Sequence, residues 1–97
     1  MKIVFDEKAI SDLQSIREWI ARDSRTRADI VLDRIFQTID VLHRFPRRGR
    51  PGLHPETHEL IARGLPYLVV YELREGSDEL FVTAVLHMAR DRSSLGR

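Results

Sequence analysis

Apolar positions change period along this chain, and the change divides it. From Ala9 onward they recur at helical spacing: Ala9, Leu13, Ile16 and Ile20 are separated by four, three and four residues. Ile10 and Trp19 widen that stripe, while Asp12, Arg17 and Glu18 fall off it. The pattern predicts a helix from Glu7, with Asp6 as N-cap, fading near Arg22. Asp23 and Ser24 break it, and Ser24 is placed to cap a second helix. There Ala28, Leu32, Ile35, Ile39 and Leu42 form the stripe, broadened by Val31 and Phe36. This helix must end before Pro46, because the residue before a proline is driven out of the α region. Two striped helices joined by a few residues predict an αα-hairpin, with Leu13, Ile16, Ile20, Ile35 and Ile39 buried.

The period then shortens. Tyr67–Leu73 and Leu80–His87 are rich in β-branched and aromatic residues and flank the turn-like Arg74–Glu79, which holds Gly76, Ser77 and Asp78. Leu68 and Val70 alternate with Tyr67, Val69, Tyr71 and Leu73; Leu80, Val82, Ala84 and Leu86 alternate with Phe81, Thr83 and Val85. A hairpin apolar on both faces needs cover on both. The helical hairpin supplies one, and the other face is expected to leave an apolar groove for a partner. Lys2–Phe5 reads as a short strand and Thr57–Ala62 as another, with Arg63–Gly64–Leu65–Pro66 turning into the hairpin. Arg44–Glu56, with three prolines and two glycines, reads as loop. The end of the polar tail Met88–Arg97 is expected to fray. The order β-α-α-β-β-β predicts an α+β fold: a helical hairpin on a small, mostly antiparallel sheet whose last three strands form a meander.

At 97 residues, one domain is the expectation. The absence of cysteine excludes disulfides and thiolate zinc sites and suits a cytoplasmic protein. No stretch is long and apolar enough for a signal peptide or a bilayer span. A net charge of +1 argues against general polyanion coating. The charge is unevenly placed, however. Lys2 and Lys8 are the only lysines, and Arg44, Arg47, Arg48 and Arg50 crowd one short window. Arginine suits bidentate contact with carboxylate or phosphate; a solubilising loop is the plainer alternative.

Candidate chemistry is sparse. His54 and His58 have a ligand spacing, but Pro55 between them opposes a helix, and no metal or cofactor is expected. No serine lies in a nucleophile-elbow context, and Arg50-Pro51-Gly52 is no phosphate loop. His87 ends the last strand, with Arg90 just beyond and Arg63 in the preceding turn. A histidine with arginines could act on a phosphodiester. The structural alternative, favoured on these residues alone, is that His87 bonds a neighbouring strand end and Arg90 pairs with a carboxylate. Direct DNA binding through the arginine loop lacks a helix-turn-helix signature.

Taken in order, these segments resemble the ParE/RelE superfamily of bacterial type II toxins, its ParE branch in particular. The resemblance runs through Ala9…Asp12-Leu13…Ile16…Trp19-Ile20-Ala21, Ala28…Ile35…Ile39…Leu42, Phe45-Pro46…Gly49-Arg50, Thr57-His58-Glu59-Leu60, Pro66-Tyr67…Val70-Tyr71 and Val85-Leu86-His87…Ala89-Arg90-Asp91. It lies in their order and spacing rather than in one motif. The family usually has arginine where His58 stands, which loosens the match there. The resemblance implies the β-α-α-β-β-β fold and a toxin neutralised by a co-encoded, ParD-like antitoxin. RelE-like members cut mRNA on the ribosome, and ParE-like members poison DNA gyrase. RelE-like sites carry lysines and arginines on the sheet and often a C-terminal tyrosine; here no lysine follows Lys8 and no tyrosine follows Tyr71. The gyrase-poison reading is therefore preferred. The alternatives are a ribonuclease using His87, Arg90 and Arg63, or an inactive antitoxin-binding relative. Candidate contacts with target or antitoxin are Arg47, Arg48, Arg50, Arg63, Tyr67, Tyr71, His87 and Arg90.

Overall fold

The computed structural model describes residues 1–91; the expectation for the end of the tail lies outside them. Strand β1 (Lys2–Phe5) leads into α1 (Glu7–Ala21) and α2 (Arg25–Asp40), followed by β2 (Arg50–Pro51), β3 (Thr57–Ile61), β4 (Tyr67–Arg74) and β5 (Glu79–His87). The sheet order is β1-β5-β4-β3-β2, with β1 parallel to β5 and every other pair antiparallel. The α+β architecture and the closing meander are those the pattern predicts. The strand β2 is an addition. Its two residues, within the segment read as loop, pair with Glu59 and His58 of β3.

Local chemistry explains the helix limits. The Ser24 hydroxyl accepts the Arg27 amide hydrogen at 3.1 Å, the N-cap bond expected of it. Asp6 has the extended backbone of an N-cap, but its side chain makes no capping bond. After Asp40 the chain tightens into one 3-10 turn, Val41–His43, before Pro46.

The core lies between the helices and one face of the sheet. Leu13, Ile16, Ile35 and Ile39 are buried against Val69, Tyr71, Leu80 and Val82. Ile20, expected among them, is half-buried at the rim. Ile10, Trp19 and Phe36 point outward, so each helix contributes a narrower stripe than its apolar residues suggest.

A bulge sets the faces of β5. Tyr71 stands opposite Val82 and Val70 opposite Ala84, which leaves Thr83 as the extra residue. Its hydroxyl donates to the Val70 carbonyl at 3.3 Å. The bulge shifts the alternation by one: Val85 joins Leu80 and Val82 in the core, while Ala84 and Leu86 pass to the opposite face with Leu68. Reading 80, 82, 84 and 86 as one face fails for this reason.

Pairing of β1 ends at Phe5 with Val82. Further along β5 the first helix takes over, and the Asp12 carboxylate accepts the Val85 amide hydrogen at 3.0 Å. No helix among the described residues is long and apolar enough to cross a membrane.

Candidate functional site

The arginine-rich segment is shaped by one tyrosine. Tyr71, fully buried on β4, donates its hydroxyl to the Pro46 carbonyl at 2.8 Å and accepts the Gly49 amide hydrogen at 2.9 Å. Burial pushes its phenol pKa up, opposed by the Gly49 N–H and the charge of Arg47. Gly49 permits this closeness, since a Cβ there would lie 2.7 Å from both the Glu59 carbonyl oxygen and the Tyr71 hydroxyl. The Gly52 amide donates to the Thr57 carbonyl at 2.8 Å and closes the loop onto β3. The His58 ring stacks on Tyr71 at 5.3 Å between centroids, with its buried Nδ1 unpartnered.

The loop sorts its arginines by what they meet. Arg47 is ion-paired with Glu75 in the β4–β5 turn. Arg50 pairs with Glu59 at 3.3 Å, and Arg44 lies over the Phe45 ring. Arg48 has no such partner among the described residues and lines a groove of about 480 Å³ with Thr38, Val41, Leu60, Ile61, Arg63 and Gly64. The tight turn after β3 places Arg63 there, with Gly64 at φ +76°, a conformation that favours glycine. A guanidinium nitrogen of Arg34 comes within 3.6 Å of where a Gly64 Cβ would stand. Two guanidiniums, those of Arg48 and Arg63, thus line one groove, Arg34 approaches it at Gly64, and among the described residues no carboxylate lines it. Arg34 was not among the expected residues. It lies off the apolar stripe of α2, and only the tertiary fold brings it to Gly64.

The strand-end residues form a different constellation. His87 Nδ1 accepts the amide hydrogens of Ala89 and Arg90, both at 3.1 Å, so the ring proton sits on Nε2. Its own amide donates to the Asp91 carboxylate at 2.8 Å, and the Asp91 amide returns a 2.8 Å bond to the His87 carbonyl. The Tyr67 ring meets His87 edge-on at 5.3 Å. Tyr67 and Tyr71 are both buried, so neither ring is at the surface. The Arg90 guanidinium lies 5.1 Å from the centre of the exposed Trp19 ring, which Arg22 also approaches at 5.3 Å. Arg63 and Arg90 line different grooves, so His87, Arg90 and Arg63 do not converge on one.

The sheet face away from the helices carries Glu59, Leu68, Val70, Phe81, Ala84 and Leu86. Among the described residues two arginines reach it, and both are engaged: Arg50 with Glu59, and Arg74 over the Phe81 ring at 3.8 Å. Leu68, Ala84 and Leu86 are buried, and the cavity that Ala84 and Leu86 border with Val70 and Glu59 measures about 160 Å³. The larger apolar groove, about 440 Å³, lies instead beside the helices, lined by Phe5, Ile10, Leu13, Leu32 and Phe36. Ile10 and Phe36 turn outward and line it, so among the described residues the larger apolar groove lies beside the helices and not on the far face, where one was expected.

A family-wide sequence model, described as the ParE toxin of the type II toxin–antitoxin system parDE, matches residues 3–92. The chain belongs to the ParE toxin family. It is a toxin of a type II toxin–antitoxin system within the ParE/RelE superfamily. It is similar to a Sinorhizobium fredii protein named "Putative toxin Y4kP", 31% identical over 82% of this chain and 80% of that one. Its fold is similar to a solved chain of the chromosomal ParDE system of P. aeruginosa (TM-score 0.80, 18% identity, covering 90% of this chain and 95% of that one). It is also similar to a chain of the intact E. coli RelBE toxin–antitoxin complex (TM-score 0.66, 19% identity, covering 87% and 92%).

Proposed function

We propose that this ParE-family toxin acts in the cytoplasm by poisoning DNA gyrase, and that a co-encoded, ParD-like antitoxin neutralises it. The observation that carries the reading is the state of the basic groups on and beside the sheet. On the far face each described arginine is already engaged, and His87 has its unprotonated nitrogen filled by two backbone amides. Cleavage of RNA needs a base for the 2′-hydroxyl, an acid for the leaving oxygen and donors on the phosphate, all converging on one place. A poison needs only a surface that binds one state of its target more tightly than another.

The test is purified chain with gyrase and supercoiled DNA. Linear DNA should accumulate only when both proteins are present, and the antitoxin should abolish it. Codon-phased mRNA cuts in translating ribosomes, lost in a folded Arg90→Ala variant, would overturn the reading in favour of a ribonuclease.

A further inference from the structure

The groove between the end of α2 and the β3–β4 turn has a chemistry that identifies what it receives. Its floor is aliphatic: Val41 and Ile61 are 38% and 45% exposed, and Leu60, which also lines it, packs against the core. Around it stand Arg34, Arg48 and Arg63, and no ion pair among the described residues involves any of the three. The neighbouring arginines are neutralised locally, Arg47 by Glu75 and Arg50 by Glu59. What remains is a positive rim on an apolar floor.

We propose that this groove seats an acidic segment of the antitoxin, with carboxylates bridging Arg34, Arg48 and Arg63 and one aliphatic side chain against Val41 and Ile61. The inference rests on the reading of the chain as a neutralised toxin and adds the chemistry of the partner at one site. Guanidinium forks bind carboxylates bidentately, and exposed aliphatic floor favours a partner that also brings an apolar side chain. Nucleic acid matches the charge but not the floor, since among the described residues no aromatic ring lines the groove for a base to stack on. The backbone that carries Arg48 is held in place. Its amide bonds the Phe45 carbonyl at 3.1 Å, inside the loop that Tyr71 pins at Pro46 and Gly49. Such preorganisation lowers the cost of ordering on binding.

The experiment titrates the full chain with the product of the adjacent reading frame. The double variant Arg48→Gln/Arg63→Gln should raise Kd by about ten-fold or more and flatten its salt dependence. Arg25→Gln, an exposed control on the opposite end of α2, should stay within about two-fold. The thermal midpoint of the double variant should match the control, because neither guanidinium has an ion-pair partner among the described residues to lose. A double-mutant cycle pairing Arg63→Gln with single Asp→Asn or Glu→Gln changes in the antitoxin should find one strongly coupled carboxylate. Unchanged affinity in the folded double variant overturns the proposal. So does weakened binding to a short DNA duplex with antitoxin affinity intact, which would make the groove a nucleic-acid site. If the wild-type chain is neither bound nor neutralised by the co-produced antitoxin, the toxin–antitoxin reading itself falls and takes the proposal with it.

Discussion

Tyr71 shows how much one side chain can organise here. Its ring fills the core, and its hydroxyl holds both ends of the arginine loop's first turn. Tyr71→Phe keeps the ring but leaves the Gly49 N–H and the Pro46 carbonyl to find other partners, at a cost of about 1–3 kcal/mol. Urea unfolding measures this, and faster hydrogen exchange at Gly49 should localise it. The tyrosine also predicts a pH dependence. Burial raises its native pKa, so the folded chain holds the phenolic proton more tightly than the unfolded chain does. That contribution is complete below the ordinary tyrosine value, about pH 10, and is lost as pH rises through the higher native value. The alkaline fall in stability should be shallower in Tyr71→Phe than in wild type. Asp12 has a comparable local role, because its carboxylate satisfies the Val85 amide beyond the reach of β1. Asp12→Ala should cost about 1–3 kcal/mol. Lys8→Ala, which removes only an exposed i,i+4 partner of Asp12, should cost less than about 1 kcal/mol.

At the scale of elements, the helices and the hairpin were legible because each rests on a local period. The stripe through Leu13, Ile16, Ile35 and Ile39 became core as read, and Ser24 became the cap. Leu13→Ala and Ile35→Ala should each cost roughly 2–5 kcal/mol in a denaturation series, with Ile35, fully buried, at the upper end. What stayed illegible depends on residues distant in sequence. The strand β2 exists because Tyr71, far along the chain, reaches back to Pro46 and Gly49. Gly49→Ala should therefore destabilise the chain by about 1–3 kcal/mol, since its Cβ would meet backbone and a buried ring rather than a movable side-chain end. The Thr83 bulge is equally invisible to strict alternation, as nothing in Phe81-Val82-Thr83-Ala84-Val85 announces the skipped residue. The candidate site was half legible. A cluster of arginines was visible, but which are neutralised, and that Arg34 joins Arg48 and Arg63, follows from tertiary placement alone.

For the molecule as a whole, the question is whether its action depends on a reacting group or on an intact surface, and His87 separates the two. Its Nδ1 accepts the Ala89 and Arg90 amide hydrogens and so holds the turn that carries Arg90 toward Trp19. His87→Ala removes that acceptor and should loosen the turn, lowering stability by about 1–2 kcal/mol and weakening toxicity in step with the loss of fold. His87→Asn is the discriminating change. An asparagine Oδ1 can accept at the position of Nδ1 but cannot exchange a proton near neutral pH. If the chain acts by binding gyrase, His87→Asn should recover both the thermal midpoint and most of the gyrase-dependent DNA cleavage that His87→Ala loses. If His87 works as an acid or base, the midpoint should recover while activity stays lost, because an asparagine amide cannot take up and release the proton. Recovery of both together would tie the toxin's effect to the shape of the turn it presents.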